Sequence, residues 1–370
     1  MFENFTVPKE LIPSDPRFGV GPSLIAMEHF KTLAETGSKL MGTSHRKSAV
    51  KNLVKEVQNG FRQYFNLPED YQVVLGNGGA TFLWDMMALG MVEKNSAHFV
   101  CGEFSDKWFR AHKKVPWIKA QEYKVDFGKG INPESKSDAD MICTTLNETS
   151  TGVQISKLCE VNDKTILAVD ATSGAGQIAC DVSKTDMFYF SPQKVFAGEG
   201  GLFFAFMSPK AIERTEKIAA DKSRYIPVVM EWKLAIDNSK ENQTYNTPGI
   251  TGLYLVNEQL KAMNKLGFAK VEKEAKRKAD MIYSWAEKKD YLSPFIEQNE
   301  FRSQAVATIN LDEKFSADDL IKKLRDLKVV YDIDSYRKLG KNQFRISLFH
   351  NVTYENLEKL TKIISLAIES

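Results

Sequence analysis

Between residues 71 and 208 the chain alternates short, unbroken apolar runs with stretches of helical period, and this alternation restricts the fold more than any other feature. The runs are "YQVVLGNG" (71–78), "AHFVCG" (97–102), "ADMICTTLN" (139–147), "TILAVDATS" (165–173), "DMFYFS" (186–191) and "GLFFAFMS" (201–208). Several are apolar at nearly every position, as a strand covered on both faces must be; a half-exposed strand would alternate. Between them, "ATFLWDMMALGMV" and "DKWFRAHKK" read as helices. Strands separated by helices imply a mostly parallel α/β sheet. In open sheets of this kind ligands bind beyond the carboxyl ends of the strands. The order of the strands in space is not readable from the pattern.

After "YNTPGI" (245–250) the character changes. "VEKEAKRKADMIYSWAEKK" is a long charged helix whose Val271, Ala275, Ile282 and Trp285 share one stripe. Strand-like "AVATINL" (305–311), helical "SADDLIKKLRDL" (316–327), strand-like "FRISLF" (344–349) and a terminal helix follow. A chain of 370 residues exceeds one small core. The expected division is a large domain over 18–250 and a smaller C-terminal α/β domain over 251–370, with the proline-broken segment 1–17 packed near the latter.

Formal net charge is +2, from 50 basic and 48 acidic side chains. Such a balance gives no basic patch for nucleic acid and no attraction to an anionic membrane. No run reaches the ~18 apolar residues of a membrane span, and the first residues lack the basic and apolar regions of a signal peptide. Cys101, Cys143, Cys159 and Cys180 form no C-x-x-C pair, and no histidine stands at zinc spacing. Neither a disulfide framework nor a metal is expected, and a reducing cytoplasm is the expected location.

Four strand ends carry residues that a strand end does not need. "LGNGGATFLW" puts Gly78, Gly79, Ala80 and Thr81 at a strand-to-helix turn, where backbone amides cradle anions; glycine turns before helices are also common, and the G-K-[ST] ending of a P-loop is absent. Asp170 closes an apolar strand, where a carboxylate is costly unless paired; as an N-cap it would be ordinary. Lys194 follows the aromatic run "FYFSPQK", either snorkelling to water or sheltered for chemistry. "LNETSTG" (146–152) is a polar turn or a set of ligands. Taken together they fit one cofactor. A sheltered lysine forms a Schiff base with an aldehyde. Pyridoxal 5'-phosphate needs that lysine, a carboxylate for its pyridine nitrogen, an anion cradle, and usually a ring on its face. Lys194, Asp170, the 78–81 turn and Phe104 supply the set.

At these residues the chain resembles the fold-type I, class-V pyridoxal-phosphate aminotransferases, and within them the phosphoserine aminotransferase branch of actinobacterial type. The resemblance runs from "FGVGPSLI" (18–25) to "FRISLFHNV" (344–352). It is carried by "GTSHR", "LGNGGAT", "GEFS", "NETSTGV", "DATSGAG", "PQK", "NQTYNTP" and "YRKLG" in that order. It implies that Lys194 and Asp170 are catalytic and that Ala80 and Thr81 cradle the cofactor phosphate. Phe104, a tryptophan in many members, would stack on the ring. Thr149 would meet the ring hydroxyl and Gln193 the phosphate end. Asn246 and Thr247 would reach the cofactor phosphate of the other subunit, so a homodimer with shared sites is implied.

The resemblance further implies transamination of 3-phosphohydroxypyruvate with L-glutamate to O-phospho-L-serine and 2-oxoglutarate, in serine biosynthesis. The homologous reaction on 4-phosphohydroxythreonine in pyridoxine synthesis stays open. His45 and Arg46 resemble a phosphate-binding pair, Arg345 the clamp for the α-carboxylate, and Arg337 a second phosphate contact within a segment two residues longer than in the better-known branch. That branch has an arginine where Thr81 stands. Two rivals are weaker. A desulfurase needs a mobile cysteine, whereas these cysteines mostly sit in or beside strand runs; an alanine–glyoxylate-type enzyme has no need of the His45–Arg46 pair.

Overall fold

The computed structural model describes residue 2 and residues 4–370; Met1 and Glu3, within the expected 1–17 segment, lie outside the described residues. Seven strands make the large sheet: β1 (Gln72–Asn77), β2 (Asn95–Val100), β3 (Lys119–Lys124), β4 (Met141–Thr145), β7 (Ile166–Asp170), β8 (Met187–Phe190) and β9 (Leu202–Met207). A small hairpin, β5 (Asn147–Glu148) with β6 (Val153–Gln154), stands apart. The order across the sheet is β1-β9-β8-β7-β4-β2-β3. Four of the six pairings are parallel, and β9 runs antiparallel to both its neighbours.

Every residue of β4, β7, β8 and β9 is buried, because each face of the sheet carries its own apolar layer. Val73, Leu75, Phe188, Phe190, Phe204 and Phe206 face one layer. Val74, Met187, Tyr189, Phe203 and Ala205 face the other. This is the two-residue alternation of a strand with apolar side chains on both sides. The first layer is built by α2 (Ser48–Phe65) and α7 (Ile250–Leu266), with α1 (Met27–Glu35) against α7. The second is built by α3 (Gly79–Gly90), α4 (Glu103–Lys113), α5 (Pro209–Ala219) and α6 (Trp232–Lys240). β3, "KAQEYK", has no apolar run; it pairs only with β2 at the sheet's edge, where charged side chains discourage further pairing.

The packing reaches the loop that holds Lys194. Phe61 of α2 is fully buried, its ring 4.8 Å from Phe204, 5.1 Å from Phe196 and 5.2 Å from Phe190. Truncating such a ring to alanine costs ~3–5 kcal/mol, and Phe196 lies only two residues beyond the lysine.

The second body carries β10 (Leu292–Pro294), β11 (Val306–Leu311) and β12 (Gln343–Ser347) as an antiparallel sheet. It is covered by the C-terminal half of α8 (Phe268–Glu287), by α9 (Ala317–Asp326) and by α10 (Tyr354–Glu369). Ser316 and Thr353 cap α9 and α10 by accepting from Asp319 N and Asn356 N. Phe2 and Phe18 belong to this core, and Ser347 N donates to Phe18 O. From Phe18 the chain runs into the cleft.

Helix α7 lies in the core of the first body through Leu253, Val256, Leu260 and Met263, while α8 enters the core of the second from Ala279 on. The expected division at 250/251 would put α7 in the second body, whereas its apolar side chains lie in the core of the first. We place the join inside α8, because the apolar stripe of α7 is spent on α2. Among the described residues no helix is long and apolar enough to cross a membrane.

Candidate active site

Strands β7, β8, β9 and β1 are neighbours, so the residues at their common edge meet whatever their distance in sequence. Asp170 ends β7, Lys194 follows β8, and Gly78 follows β1. Hydrogen bonds close this edge: Gly78 N donates to Gly201 O (2.9 Å) and Ser191 Oγ to Leu202 O (2.7 Å).

Lys194 is half-buried, and its Nζ donates to Val20 O at 2.7 Å. Val20 precedes Gly21, whose backbone has φ +137°; a Cβ there would sit 1.8 Å from the lysine nitrogen. Gly21 is thus the residue that lets the amine lie against the backbone. Burial first, and then the nearby charge of Arg345, lower the lysine's pKa to about 8, while the charge of Asp170 works the other way.

Asp170 is 4% exposed, and both its carboxylate oxygens are hydrogen-bonded. Oδ1 accepts from Thr172 N (3.0 Å) and Thr172 Oγ1 (2.6 Å); Oδ2 accepts from Tyr189 OH (3.2 Å) and Trp84 Nε1 (3.4 Å). Burial raises its pKa against the pull of these bonds. The Thr172 contact is the N-cap-like turn that sequence alone allowed, and the two ring donors show that the carboxylate is also built into the core.

Helix α3 opens at Gly79, so the amides of Gly79, Ala80 and Thr81 belong to its first turn and have no partner within the helix. Ala80 is buried and Thr81 exposed. Phe104 stands second in α4, partly exposed, with Tyr336's ring 6.1 Å away and Lys107 Nζ 5.3 Å above it. Thr149 is buried; its Oγ1 donates to Ser173 Oγ (2.8 Å) and its carbonyl accepts from Arg345 NH1 (3.2 Å). Arg345 lies on β12 of the second body, with its guanidinium carbon 5.3 Å from the Tyr336 ring centre. Burial lowers its pKa.

Several buried polar atoms at this edge have no partner: Arg345 Nε, Gln193 Oε1, Thr145 Oγ1 and Ser23 Oγ. Such groups are costly unless something polar meets them. An amine, a carboxylate at the neighbouring strand end, the free amides of a helix start, an aromatic ring and unpartnered polar atoms fit a ring with an aldehyde, a basic nitrogen and a phosphate.

A second group forms elsewhere. His45 Nδ1 meets Thr247 Oγ1 at 3.3 Å, while Asn77 Nδ2 donates to Asn246 O (3.2 Å) and Thr247 O (2.9 Å). Arg46, Asn246 and Thr247 are exposed; His45 is buried, with Nε2 unpartnered. Burial, and then Arg46's charge, hold His45 below the ordinary histidine pKa. Among the described residues, the hydrogen bonds of this group lead to one another and to Ser44, Asn77, Gln243 and Thr244, not to Lys194 or Asp170. Arg337 is exposed on the turn Arg337–Leu339.

The residue that sequence reading passed over is Glu148. Fully buried, it accepts at Oε1 from Phe104 N (3.3 Å), Ser150 N (3.2 Å) and Ser150 Oγ (2.7 Å). At Oε2 it accepts from Ser105 N and Ser105 Oγ, both 2.9 Å. A carboxylate at the start of α4 suits the helix dipole and fixes Phe104 and Thr149 together. Gly102 makes room, since a Cβ there would lie 2.3 Å from Glu148 Cγ. A glutamate inside an otherwise neutral polar turn was the only signal.

Two other features are not part of this site. His98, His112 and Cys143 are buried together with ligand atoms within 4.8 Å of one another. Trp108 Nε1 donates to His112 Nε2 (3.0 Å), so the proton of the neutral imidazole sits on Nδ1 and neither nitrogen is free to ligate. A cavity of about 770 Å³ opens at the opposite, amino-terminal edge of the sheet. Its Arg214 is already paired with Glu93 and Asp140, and its Lys210 with Asp186.

The Aminotransferase class-V family model matches residues 24–360. The phosphoserine aminotransferase of Rhodococcus opacus (strain B4) is 42% identical over 364 residues, covering 97% of this chain and 96% of that protein. That of Corynebacterium glutamicum (strain R) is 40% identical over 367 residues, covering 98% and 97%. The crystal structure of a phosphoserine aminotransferase from Cytophaga hutchinsonii superposes with a TM-score of 0.87 at 25% identity, covering 95% of this chain and 98% of that one.

Proposed function

We propose how the residues of this chain, which belongs to the class-V aminotransferase family, carry out one reaction. It is the pyridoxal-phosphate-dependent exchange of an amino group between L-glutamate and 3-phosphohydroxypyruvate, giving 2-oxoglutarate and O-phospho-L-serine for serine biosynthesis. This phosphoserine aminotransferase activity is the one that full-length relatives at 40–42% identity are named for. The observation that carries it is Lys194: a sheltered amine with a single carbonyl partner and a pKa near 8, one strand away from a buried carboxylate.

When bound, the cofactor supplies an aldehyde for amines and a ring that withdraws electrons from the substrate's α-carbon. Lys194 would hold that aldehyde. When free, its amine takes the proton from the α-carbon and returns it, both being possible for a base poised near neutral pH. Asp170, fixed by Thr172, Tyr189 and Trp84, would hold the ring nitrogen protonated. The first amides of α3 with Ala80 and Thr81, and Gln193, would take the phosphate; Thr149 would meet the ring hydroxyl and Phe104 its face. Arg345 would clamp the α-carboxylate in the two-pronged geometry only arginine offers.

His45 and Arg46, with Arg337, would receive the side-chain phosphate. We assign the His45, Arg46, Asn246 and Thr247 group to the active site of a second copy of the chain, in a homodimer with shared sites. Two observations support this: the group makes no hydrogen bond to its own Lys194, and exposed apolar residues surround it, Met41 at 37% and Tyr245 at 41%. We place the enzyme in the cytoplasm, in keeping with four unpaired cysteines. The 2-oxo acid corresponding to 4-phosphohydroxythreonine, in the pyridoxine pathway, is proposed as a second acceptor on the same phosphate contacts.

The test is a coupled assay. Purified protein with glutamate is offered 3-phosphohydroxypyruvate, its unphosphorylated analogue, pyruvate and glyoxylate. A kcat/KM for the phosphorylated acceptor at least about tenfold above the others is expected, from charge-assisted hydrogen bonds of ~1.5–3 kcal/mol each. Equal use of all four would overturn the substrate assignment, and no turnover at all would overturn the reaction.

A further inference from the structure

A short strap of the second body crosses the mouth of the cleft. Its near end stays on its own body: Arg325 NH2 donates to both carboxylate oxygens of Asp334 at 2.9 Å, and Asp334 bridges to Phe344 of β12. Its far end is tied to the first body, where Lys338 Nζ donates to Glu103 Oε1. Between the two lie Tyr336, which touches both Phe104 and Arg345, and the turn with Arg337.

Glu103 has more cations than a helix-start glutamate needs. Its own helix already supplies Lys107 at 3.5 Å, the ordinary i,i+4 pair, and Arg110 at 3.7 Å. Arg110 also pairs with Asp106, which faces Lys124 at 3.4 Å. The third cation, Lys338, comes from 235 residues away in the other body. The folding of α4 does not require it. The pair is lopsided: Glu103 is 11% exposed in its side chain and Lys338 61%. An ion pair with one partner in water is weak enough to open and to reform.

We propose that Glu103 and Lys338 form a latch that closes the strap 334–340 over the site, so that both act as positioning residues for selecting an amino acid with a phosphorylated side chain. The inference rests on the phosphoserine reading above. With the latch closed, Tyr336 stands between the ring-facing Phe104, tilted at 58° to it, and the carboxylate clamp Arg345, and Arg337 is held at the mouth. With it open, the strap swings on Asp334 and the substrate enters. Lys338 also masks a carboxylate that would otherwise face substrates carrying negative charge at both ends.

The test uses the holoenzyme and its Lys338→Met, Lys338→Arg and Glu103→Gln variants. KM and kcat are measured for phosphoserine and for alanine as amino donors, together with amide hydrogen exchange over residues 334–342. Lys338→Met and Glu103→Gln are expected to raise KM for phosphoserine about three- to fivefold with kcat within about twofold. They should leave alanine nearly unchanged and speed exchange in the strap about fivefold; Lys338→Arg should return both readouts most of the way. Raising the salt concentration should shrink the gap between wild type and Lys338→Met. Unaltered KM and exchange in Lys338→Met overturn the latch, as does an equal loss with both donors. A wild type that does not prefer phosphoserine overturns the substrate reading instead, which keeps the two failures distinct.

Discussion

Freed of its cofactor, the chain should present a lysine that titrates about where the enzyme works. Burial is the first cause of the fall of the Lys194 pKa from 10.5 to about 8, Arg345's charge is the second, and Asp170 opposes both. At about pH 7.5 an amine of pKa 8 is roughly 25% neutral and one of pKa 10.5 about 0.1%, so the reactive form is roughly two-hundredfold enriched. The assay is timed acylation of the cofactor-free protein from about pH 6 to pH 11, with the Lys194 peptide quantified by mass spectrometry. Exposed Lys270 serves as a reference in the same sample. The sign is fixed: below the pKa the ammonium is protected, above it the amine is labelled. Arg345→Ala removes a lowering influence and should move the midpoint up towards 10.5; Asp170→Asn removes a raising one and should move it below 8. Lys278, lowered by burial to about 8 as well, is 1% exposed and donates to Phe349 O and Val352 O, so it should label far more slowly. A wild-type midpoint near 10.5, or either variant moving in the opposite direction, would refute the account.

Lys194→Ala should abolish transamination while leaving far-ultraviolet circular dichroism unchanged, since its Nζ makes a single hydrogen bond; retained turnover would sink the mechanism. Asp170→Asn should keep weak cofactor binding and lose most activity, measured as kcat in the phosphoserine half-reaction, because a neutral amide cannot hold the ring nitrogen protonated. Arg46→Ala should cost about ten- to a hundredfold in kcat/KM for phosphoserine and little for a neutral-side-chain donor, whereas Arg345→Ala should harm both alike; an equal loss in Arg46→Ala would make that residue structural. Glu148→Ala leaves five donors at the start of α4 and in the adjoining turn without their acceptor and should cost ~3 kcal/mol or more of stability, read from the urea midpoint.

What could be read from the sequence follows from how far each residue's partners lie along the chain. Strands buried on both faces announce themselves, because local composition alone must satisfy two apolar layers; β4, β7, β8 and β9 were legible for that reason, and β3, with one neighbour and a wet flank, was not. Asp170 and Lys194 were legible because each breaks a local rule, a carboxylate and an amine at the ends of apolar runs. Their partners were not. Val20 meets Lys194 across 174 residues, Tyr189 and Trp84 meet Asp170 across 19 and 86, and Lys338 meets Glu103 across 235. None of these partners is unusual in its own neighbourhood: a valine carbonyl, a strand tyrosine and a lysine in a charged loop have nothing local to explain. The same reasoning accounts for α7, whose local composition does not say which body it covers. A residue placed against its local preference points to a site. The residues that hold it there obey theirs, and only the fold brings them into view.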